Sequence, residues 1–197
     1  MSTLVDTSAR RRPLAPADLA RIAVFAALIA ALALTPAIPL GPVPITLQTL
    51  GVSLAGLCLG PWRGFAAVAL YVAVGAAGLP VFSNGAAGFG VLVGPTGGYL
   101  LSFPLAALVS GFVARWAVRR GLSKVTPFML FGGLVLARYL IIMPIGVTHL
   151  SRVLGTTWMQ ALVAVDMLFW VVDLVKSVIA VMLALAVHKA FPRLLGR

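Results

Sequence analysis

The sequence predicts an all-α membrane protein of six transmembrane helices with both termini in the cytoplasm, and three observations support this fold class. First, 61% of the 197 residues are hydrophobic and 10% are charged, whereas soluble domains are about half apolar and about a quarter charged. The mean hydropathy is correspondingly high, at +1.10. Second, the apolar residues fall into six long runs. Third, nearly all basic residues lie beside alternate ends of these runs.

The six apolar runs predict six helices, because about 20 apolar residues in a helix cross about 30 Å of hydrocarbon. In chain order they are Leu19–Thr35, Ile45–Gly60, Phe65–Leu79, Tyr99–Val118, Phe128–Leu150 and Met159–Val187. Proline and glycine separate several of them, which predicts loops instead of strands. The second and third runs are short for a full crossing, so we expect tilt or non-helical ends shielded inside the protein.

The basic residues predict the orientation, because loops rich in Lys and Arg stay in the cytoplasm. One side holds Arg10, Arg11, Arg12, Arg21, Arg63, Arg115, Arg119, Arg120, Lys124, Lys189, Arg193 and Arg197, and the other keeps Arg152. The loops 36–44, 80–98 and 151–158 are then extracellular. We expect a multi-pass plasma-membrane protein with a cytoplasmic segment at 1–18, a transmembrane domain at 19–190 and a cytoplasmic tail at 191–197.

Several classes of function find no support in the sequence. The formal net charge of +11 does not indicate nucleic-acid binding, since the basic residues form no stripe beside stacking aromatic residues. Cys58 is the single cysteine, which excludes an internal disulfide and a CxxC motif. His149 and His188 stand alone, and no GxxxxGK[ST] phosphate loop occurs. We therefore expect no enzyme activity, metal or cofactor, and any ATP-driven step requires another chain.

Four ionisable side chains lie within the predicted spans: Arg138, Asp166, Asp173 and Lys176. Burying each in a membrane costs at least a few kcal/mol. The spacings of seven and three residues along the last helix place Asp166, Asp173 and Lys176 on one face, which must look into the bundle. Two interpretations stay open. In the first, the four residues form two structural ion pairs, Arg138 with Asp166 and Asp173 with Lys176. In the second, Asp173 accepts and Lys176 donates hydrogen bonds to a polar ligand near the outer surface.

Other polar candidates lie near the predicted outer side. The loop 80–98 mixes Gly and Pro with many apolar residues, so we expect it to fold back into the bundle. Within it, Asn84 is either a turn former or a ligand contact. Gln48, like Thr46, is either a capping or interhelical residue or part of the site. Tyr99 belongs either to an interfacial aromatic belt or to the site.

Small residues mark one helix as a contact surface. The first helix carries Ala23, Ala27 and Ala31 in one row and Ala26 and Ala30 in another. Such small-xxx-small rows let another helix approach closely. Two rows on one helix leave a spare face, which suggests a partner membrane protein in addition to packing within the chain.

Three stretches together resemble the BioY family of biotin transporters. They are PVPITLQTLGVSLAGLCLGPWRG (42–64), LPVFSNGAAGFGVLVGPTGGYL (79–100) and DLVK (173–176). The resemblance covers nearly the whole chain after Arg21. It implies the six-helix bundle of a substrate-binding S component of an energy-coupling factor (ECF) transporter, with biotin bound on the extracellular side.

The resemblance also implies residue roles. The family's asparagine before the fourth helix, and its aspartate and lysine in the sixth, match Asn84, Asp173 and Lys176. Biotin's ureido ring has two N–H donors and a carbonyl acceptor, which suit Asp173 and either Lys176 or Asn84. The apolar loop around Phe82 and Phe89 would cover the thioether ring and chain.

The resemblance names partners as well. The alanine-rich first helix, with Ala23, Ala27 and Ala31, would dock on a transmembrane coupling protein, and two cytoplasmic ATPases would use the ATP. Three alternatives stay open: an S component for another vitamin, an intramembrane enzyme using Asp166 and Asp173, and a structural membrane partner with a buried ion pair.

Overall fold

The computed structural model describes residues 15–39, 41–192 and 194–195. Regular structure in these ranges is helical, apart from one isolated bridge between Ile38 and Ile45. Six long helical segments dominate: α1 Pro16–Ala33, α2 Gln48–Leu59, α3 Pro61–Ala76, α4 Gly97–Arg119, α5 Thr126–Leu154 and α6 Trp158–Ala190. The predicted all-α class is confirmed. Arg10, Arg11, Arg12, Arg193 and Arg197 of the predicted cytoplasmic segments lie outside the described residues.

The helical segments differ in their capacity to cross a membrane. In the described ranges, four are long and apolar enough to span one: α1, α4, α5 and α6. α2 has 12 residues, about 18 Å at 1.5 Å per residue, which is less than the hydrocarbon thickness of about 30 Å. The predicted run Ile45–Gly60 therefore overestimates this helix, because residues 42–47 form a turn and the bridge instead.

A single residue, Gly60, joins α2 to α3. Gly60 has φ +78°, a left-handed conformation that glycine adopts readily. Pro61 is the first residue of α3, a position whose N–H makes no hydrogen bond within the helix, so proline's missing N–H costs nothing there. The two helices pack against each other and against α4. α4 also packs against α5 and thus lies at the centre of the bundle.

α4 and α5 approach closely next to Tyr99. Gly146 of α5 lies flat against the Tyr99 ring, and a methyl group in place of its hydrogen would overlap the ring. Because Gly146 has no side chain, the phenol of Tyr99 passes into the interior and is 7% exposed. Tyr99 is thus a buried residue and not part of an interfacial belt.

α5 and α6 each contain a π-helical segment, at Arg138–Ile142 and Leu162–Asp166. A π-helical turn is a local departure from the α-helical repeat that recurs at functional sites. Arg138 begins the first segment and Asp166 ends the second. Two of the four ionisable residues within the predicted spans therefore lie where the helix geometry is irregular.

The loop between α3 and α4 folds back onto the bundle, as its apolar sequence predicts. Phe82 is 1% exposed, its ring meets the Tyr71 ring edge to face at 5.6 Å, and it covers the bare backbone of Gly75. The Tyr71 hydroxyl donates to the Val81 carbonyl at 3.1 Å, and the Gly88 N–H donates to the Gly75 carbonyl at 2.8 Å. These bonds fasten the loop to α3.

Ion pairs join the helices at the end of the bundle where α1 begins and α6 ends. Asp18 of α1 binds Arg21 at 3.0 Å and Arg63 of α3 at 3.1 Å. Arg63 also donates to the carbonyl of Leu194 at 3.2 Å. α1 begins at Pro16, so the predicted boundary between residues 18 and 19 falls inside this helix.

Candidate functional site

A cavity of about 230 Å³ lies where α2, α4, α5 and α6 meet the loops before α2 and before α4. One part of its wall is polar. That part is formed by Gln48, Thr49, Arg138, Asp173 and Lys176. α2 contributes the first two residues, α5 the arginine and α6 the last two.

The charged residues of the wall form one continuous network. Arg138 donates from Nε to Asp173 Oδ2 at 2.8 Å and from Nη2 to Asp166 Oδ1 at 2.9 Å. Lys176 donates to Asp173 Oδ1 at 3.1 Å and to the Thr49 hydroxyl at 3.0 Å. The two ion pairs expected from the sequence are therefore joined, because Arg138 binds both aspartates. The network contains two acids and two bases and is electrically neutral.

Asp166 closes the network on the side away from the cavity. Its side chain is fully buried, and it accepts hydrogen bonds from Tyr99 at 3.2 Å and Trp170 at 3.3 Å in addition to Arg138. It is not among the residues that line the cavity. Asp166 thus holds Arg138 in place and has no direct access to a ligand.

The rest of the cavity wall is mostly apolar. Its larger apolar side chains are Phe82, Leu100, Phe103, Ile142 and Phe169. A pocket with a few polar groups at one place and apolar side chains around them is typical of small-molecule binding sites. The arrangement suits a ligand with a polar head and an apolar body.

The loop before α4 supplies the exposed edge of the cavity. Asn84 has φ +58°, a conformation that asparagine tolerates better than most residues, and it is exposed while lining the cavity. Asn84 thus acts as a turn former and also borders the cavity.

Most of the predicted site residues border this cavity. The predicted residues that line the cavity are Asn84, Asp173, Lys176, Tyr99 and Gln48.

Phe89 does not border the cavity: it is 68% exposed and absent from the wall. The reason is local, since Phe89 precedes the short helix Gly90–Val93, whose turn directs Val91 and Leu92 inward instead.

Sequence reasoning did not single out Thr49, Phe103 or Phe169 as site residues. Thr49 carried a usable signal, since it is a polar residue inside an apolar helix, one position after Gln48. The two phenylalanines carried none, because an inward-facing phenylalanine of a bundle helix looks the same in sequence whether it fills a core or lines a cavity.

Three polar atoms of the wall are buried without a hydrogen-bond partner. They are Gln48 Nε2, Arg138 Nη1 and Ser83 Oγ, and all three residues line the cavity. Buried polar groups in proteins are nearly always satisfied, so these atoms are available to a water molecule or to a polar group of a ligand.

The family model that describes the BioY family matches residues 5–193. The chain belongs to the BioY family. BioY proteins are transporter components and not enzymes, so the alternative of an intramembrane enzyme using Asp166 and Asp173 is set aside. The geometry agrees, since both carboxylates are bound to the same arginine and only one of them lines the cavity.

Curated BioY proteins resemble the chain over most of its length. The biotin transporter BioY of Rhizobium etli is 38% identical over 91% of this chain and 97% of its own. The biotin transporter BioY of Thermotoga maritima is 40% identical over 87% of this chain and 96% of its own.

A solved structure supports the same fold. The crystal structure of the S-component for biotin from an ECF-type ABC transporter superposes with a TM-score of 0.81 at 27% identity, over 88% of this chain and 91% of that one. The BioY chain described here is therefore a multi-pass membrane protein with the fold of an ECF S component.

Proposed function

We propose that this chain takes up biotin: it binds biotin in the 230 Å³ cavity and, with an ECF coupling protein and two cytoplasmic ATPases, delivers it to the cytoplasm. The observation that carries the proposal is a cavity with a charged but net-neutral network in one part of its wall and mostly apolar side chains elsewhere, inside a BioY family chain. Relatives of similar length are named biotin transporters.

The chemistry of biotin suits this cavity. Its ureido ring offers two N–H donors and one carbonyl acceptor, and its thioether ring and aliphatic chain are apolar. Asp173 is an acceptor and Lys176 a donor in the polar part of the wall, and Asn84 is a donor at the exposed edge of the cavity. Phe82, rather than Phe89, covers the apolar part of the ligand. A site that pairs polar groups this way discriminates against ligands that leave them unpaired.

The proposed topology has six membrane crossings with both termini in the cytoplasm. α2 and α3 are too short to cross alone, so they would cross tilted, in a thinned bilayer or together with the loops that precede and follow them. The cavity then opens to the outside, since Asn84 and Thr46 belong to loops on the side opposite Arg21, Arg63 and Lys189.

Binding of radiolabelled biotin to the purified chain tests the proposal. We expect saturable binding in the nanomolar-to-micromolar range. The Asp173→Asn variant should bind at least about tenfold more weakly, since a hydrogen bond to a charged group contributes about 1.5–3 kcal/mol and Arg138 and Lys176 would be left with excess positive charge. Arg152→Lys, in which one exposed basic residue replaces another, is the control.

Competition separates biotin from other vitamins. Excess unlabelled biotin should displace the label, and thiamine and riboflavin should not. Absence of biotin binding by the folded wild-type chain would contradict the proposal, and displacement by thiamine or riboflavin would reassign the ligand.

A further inference from the structure

Two hydrogen-bond donors in the polar wall are deeply buried and have no partner. Gln48 is 5% exposed and Arg138 is 9% exposed, and neither Gln48 Nε2 nor Arg138 Nη1 has a hydrogen-bond partner. By contrast, Lys176 is already bound to Asp173 and Thr49. Within the polar wall, the buried donor atoms that lack any partner are thus those of the glutamine and the arginine.

Arg138 uses its other two nitrogens to hold a fixed position. Nε binds Asp173 and Nη2 binds Asp166, so the planar guanidinium is clamped between two carboxylates. The direction of Nη1 is then set by the same plane. A donor held this way loses little conformational freedom when it binds a ligand.

The charge of the network decides which kind of acceptor fits these donors. Asp166 and Asp173 already balance Arg138 and Lys176. A ligand carboxylate placed here would add an uncompensated negative charge in a buried site, which is strongly unfavourable. A neutral carbonyl oxygen accepts the same two hydrogen bonds without that penalty, because it has two lone pairs.

We propose that Arg138 Nη1 and Gln48 Nε2 together bind the neutral ureido carbonyl of the ligand, so that its carboxylate lies towards the exposed loop that carries Asn84. This inference rests on the proposed function and makes Arg138 a ligand-binding residue as well as a partner of the two aspartates. Asp173 remains the acceptor for a ureido N–H.

A smaller cavity on the other side of the network offers Arg138 a different partner. Its volume is about 30 Å³, and Ser53, Ser110 and Ser177 line it with Arg138. This space is large enough for water and too small for a ligand. If Nη1 binds only a water in this smaller cavity, then removing Nη1 would not change the contribution of the ureido carbonyl to ligand affinity.

The test compares two ligands against two variants. Gln48→Met keeps the length of the side chain and removes its amide. Arg138→Lys keeps the positive charge and removes the planar guanidinium with its several N–H donors. Each affinity is measured for biotin and for its thio analogue, a ligand with an equally neutral ring in which sulfur, a weak hydrogen-bond acceptor, replaces the ureido oxygen. Arg152→Lys is the matched control for the arginine, since Arg152 is exposed and outside the cavity.

Both variants should bind biotin about tenfold more weakly than wild type, because the buried carbonyl loses a donor. Their affinity for the thio analogue should change less than about twofold. Masking the carboxylate as a methyl ester should change the affinity of wild type and variants by the same factor. Equal losses for biotin and the thio analogue would overturn the inference and leave Arg138 with a structural role. Wild-type protein that fails to bind biotin would instead refute the proposed function itself.

Discussion

The two aspartates of α6 share one arginine and yet differ in what they can do. Asp166 is fully buried, accepts three hydrogen bonds from Tyr99, Arg138 and Trp170, and does not touch the cavity. Asp173 is 12% exposed at its side chain and lines the cavity. The structural interpretation therefore applies to Asp166, which orients Arg138. Asp173 is the acid that lines the cavity, where we propose that it accepts a hydrogen bond from the ligand.

Sequence alone predicted the shared face of Asp166, Asp173 and Lys176, because helical periodicity determines which side chains lie together on one helix. It did not predict that Arg138 bridges both aspartates. Pairing across helices depends on the depth and rotation of α5 relative to α6, and the two π-helical segments alter both. A single sequence carries no clear signal for a π-helical turn, so this part of the site required the structure.

At the scale of elements, the loop before α4 depends on its contact with α3. Phe82 packs over Gly75 and beside Tyr71, and residues on both sides of Phe82 are hydrogen-bonded to α3. The composition of residues 80–98 predicted that the loop would fold back, since so many apolar residues cannot face water. Which aromatic residue turns inward, Phe82 or Phe89, was decided by the short helix Gly90–Val93 and its preceding turn.

The contact between Phe82 and Gly75 leads to a test of the loop. In Gly75→Ala the added methyl would overlap the Phe82 ring, so the ring must leave its place and the loop must shift. Overpacking of this kind typically destabilises by about 1–3 kcal/mol. We expect weaker biotin binding and faster proteolysis at residues 80–98, measured by radioligand binding and limited digestion.

Gly132→Ala is the matched control for this variant. It places the same methyl on another helical glycine, in α5, where no atom lies within 4 Å. Its affinity and digestion pattern should equal those of wild type. If Gly75→Ala has the affinity and digestion pattern of wild type, then the loop does not depend on the close contact between Phe82 and Gly75 of α3.

At the scale of the whole molecule, the distribution of charge predicts how the chain lies in the membrane. Arg63 and the residues beside α1 and α6 form ion pairs and hydrogen bonds at one end of the bundle, and the cavity mouth with Asn84 belongs to loops on the other. Arg152 is exposed on α5, on the side assigned to the mouth. Cysteine labelling can distinguish the two sides.

The native chain is a convenient background for this labelling, because its single cysteine, Cys58, is 1% exposed. In intact cells, a membrane-impermeant maleimide should label Arg152→Cys and should not label Lys189→Cys. Lys189→Cys should react after permeabilisation, and the parent chain should stay unlabelled in both conditions. Labelling of Lys189→Cys in intact cells would reverse the proposed topology.

The alanines of α1 suggest where the chain meets its coupling partner. Ala26 is buried against the bundle, whereas Ala23, Ala27 and Ala31 are exposed. The two rows therefore have different environments: one packs inside the chain and the other is a narrow, smooth strip on which a helix of another protein can lie closely. A large side chain in the exposed strip should keep that helix away without disturbing the cavity.

We expect Ala27→Trp to bind biotin with wild-type affinity and to lose both co-purification with the coupling protein and ATP-dependent biotin uptake. Val171→Trp is the control, since Val171 is 72% exposed on α6 and outside the alanine strip. Affinity is measured on the isolated chain, and co-purification and uptake on cells that produce all subunits. Normal uptake by Ala27→Trp would rule out docking through this strip, and loss of biotin binding would mean that the substitution damages the bundle itself.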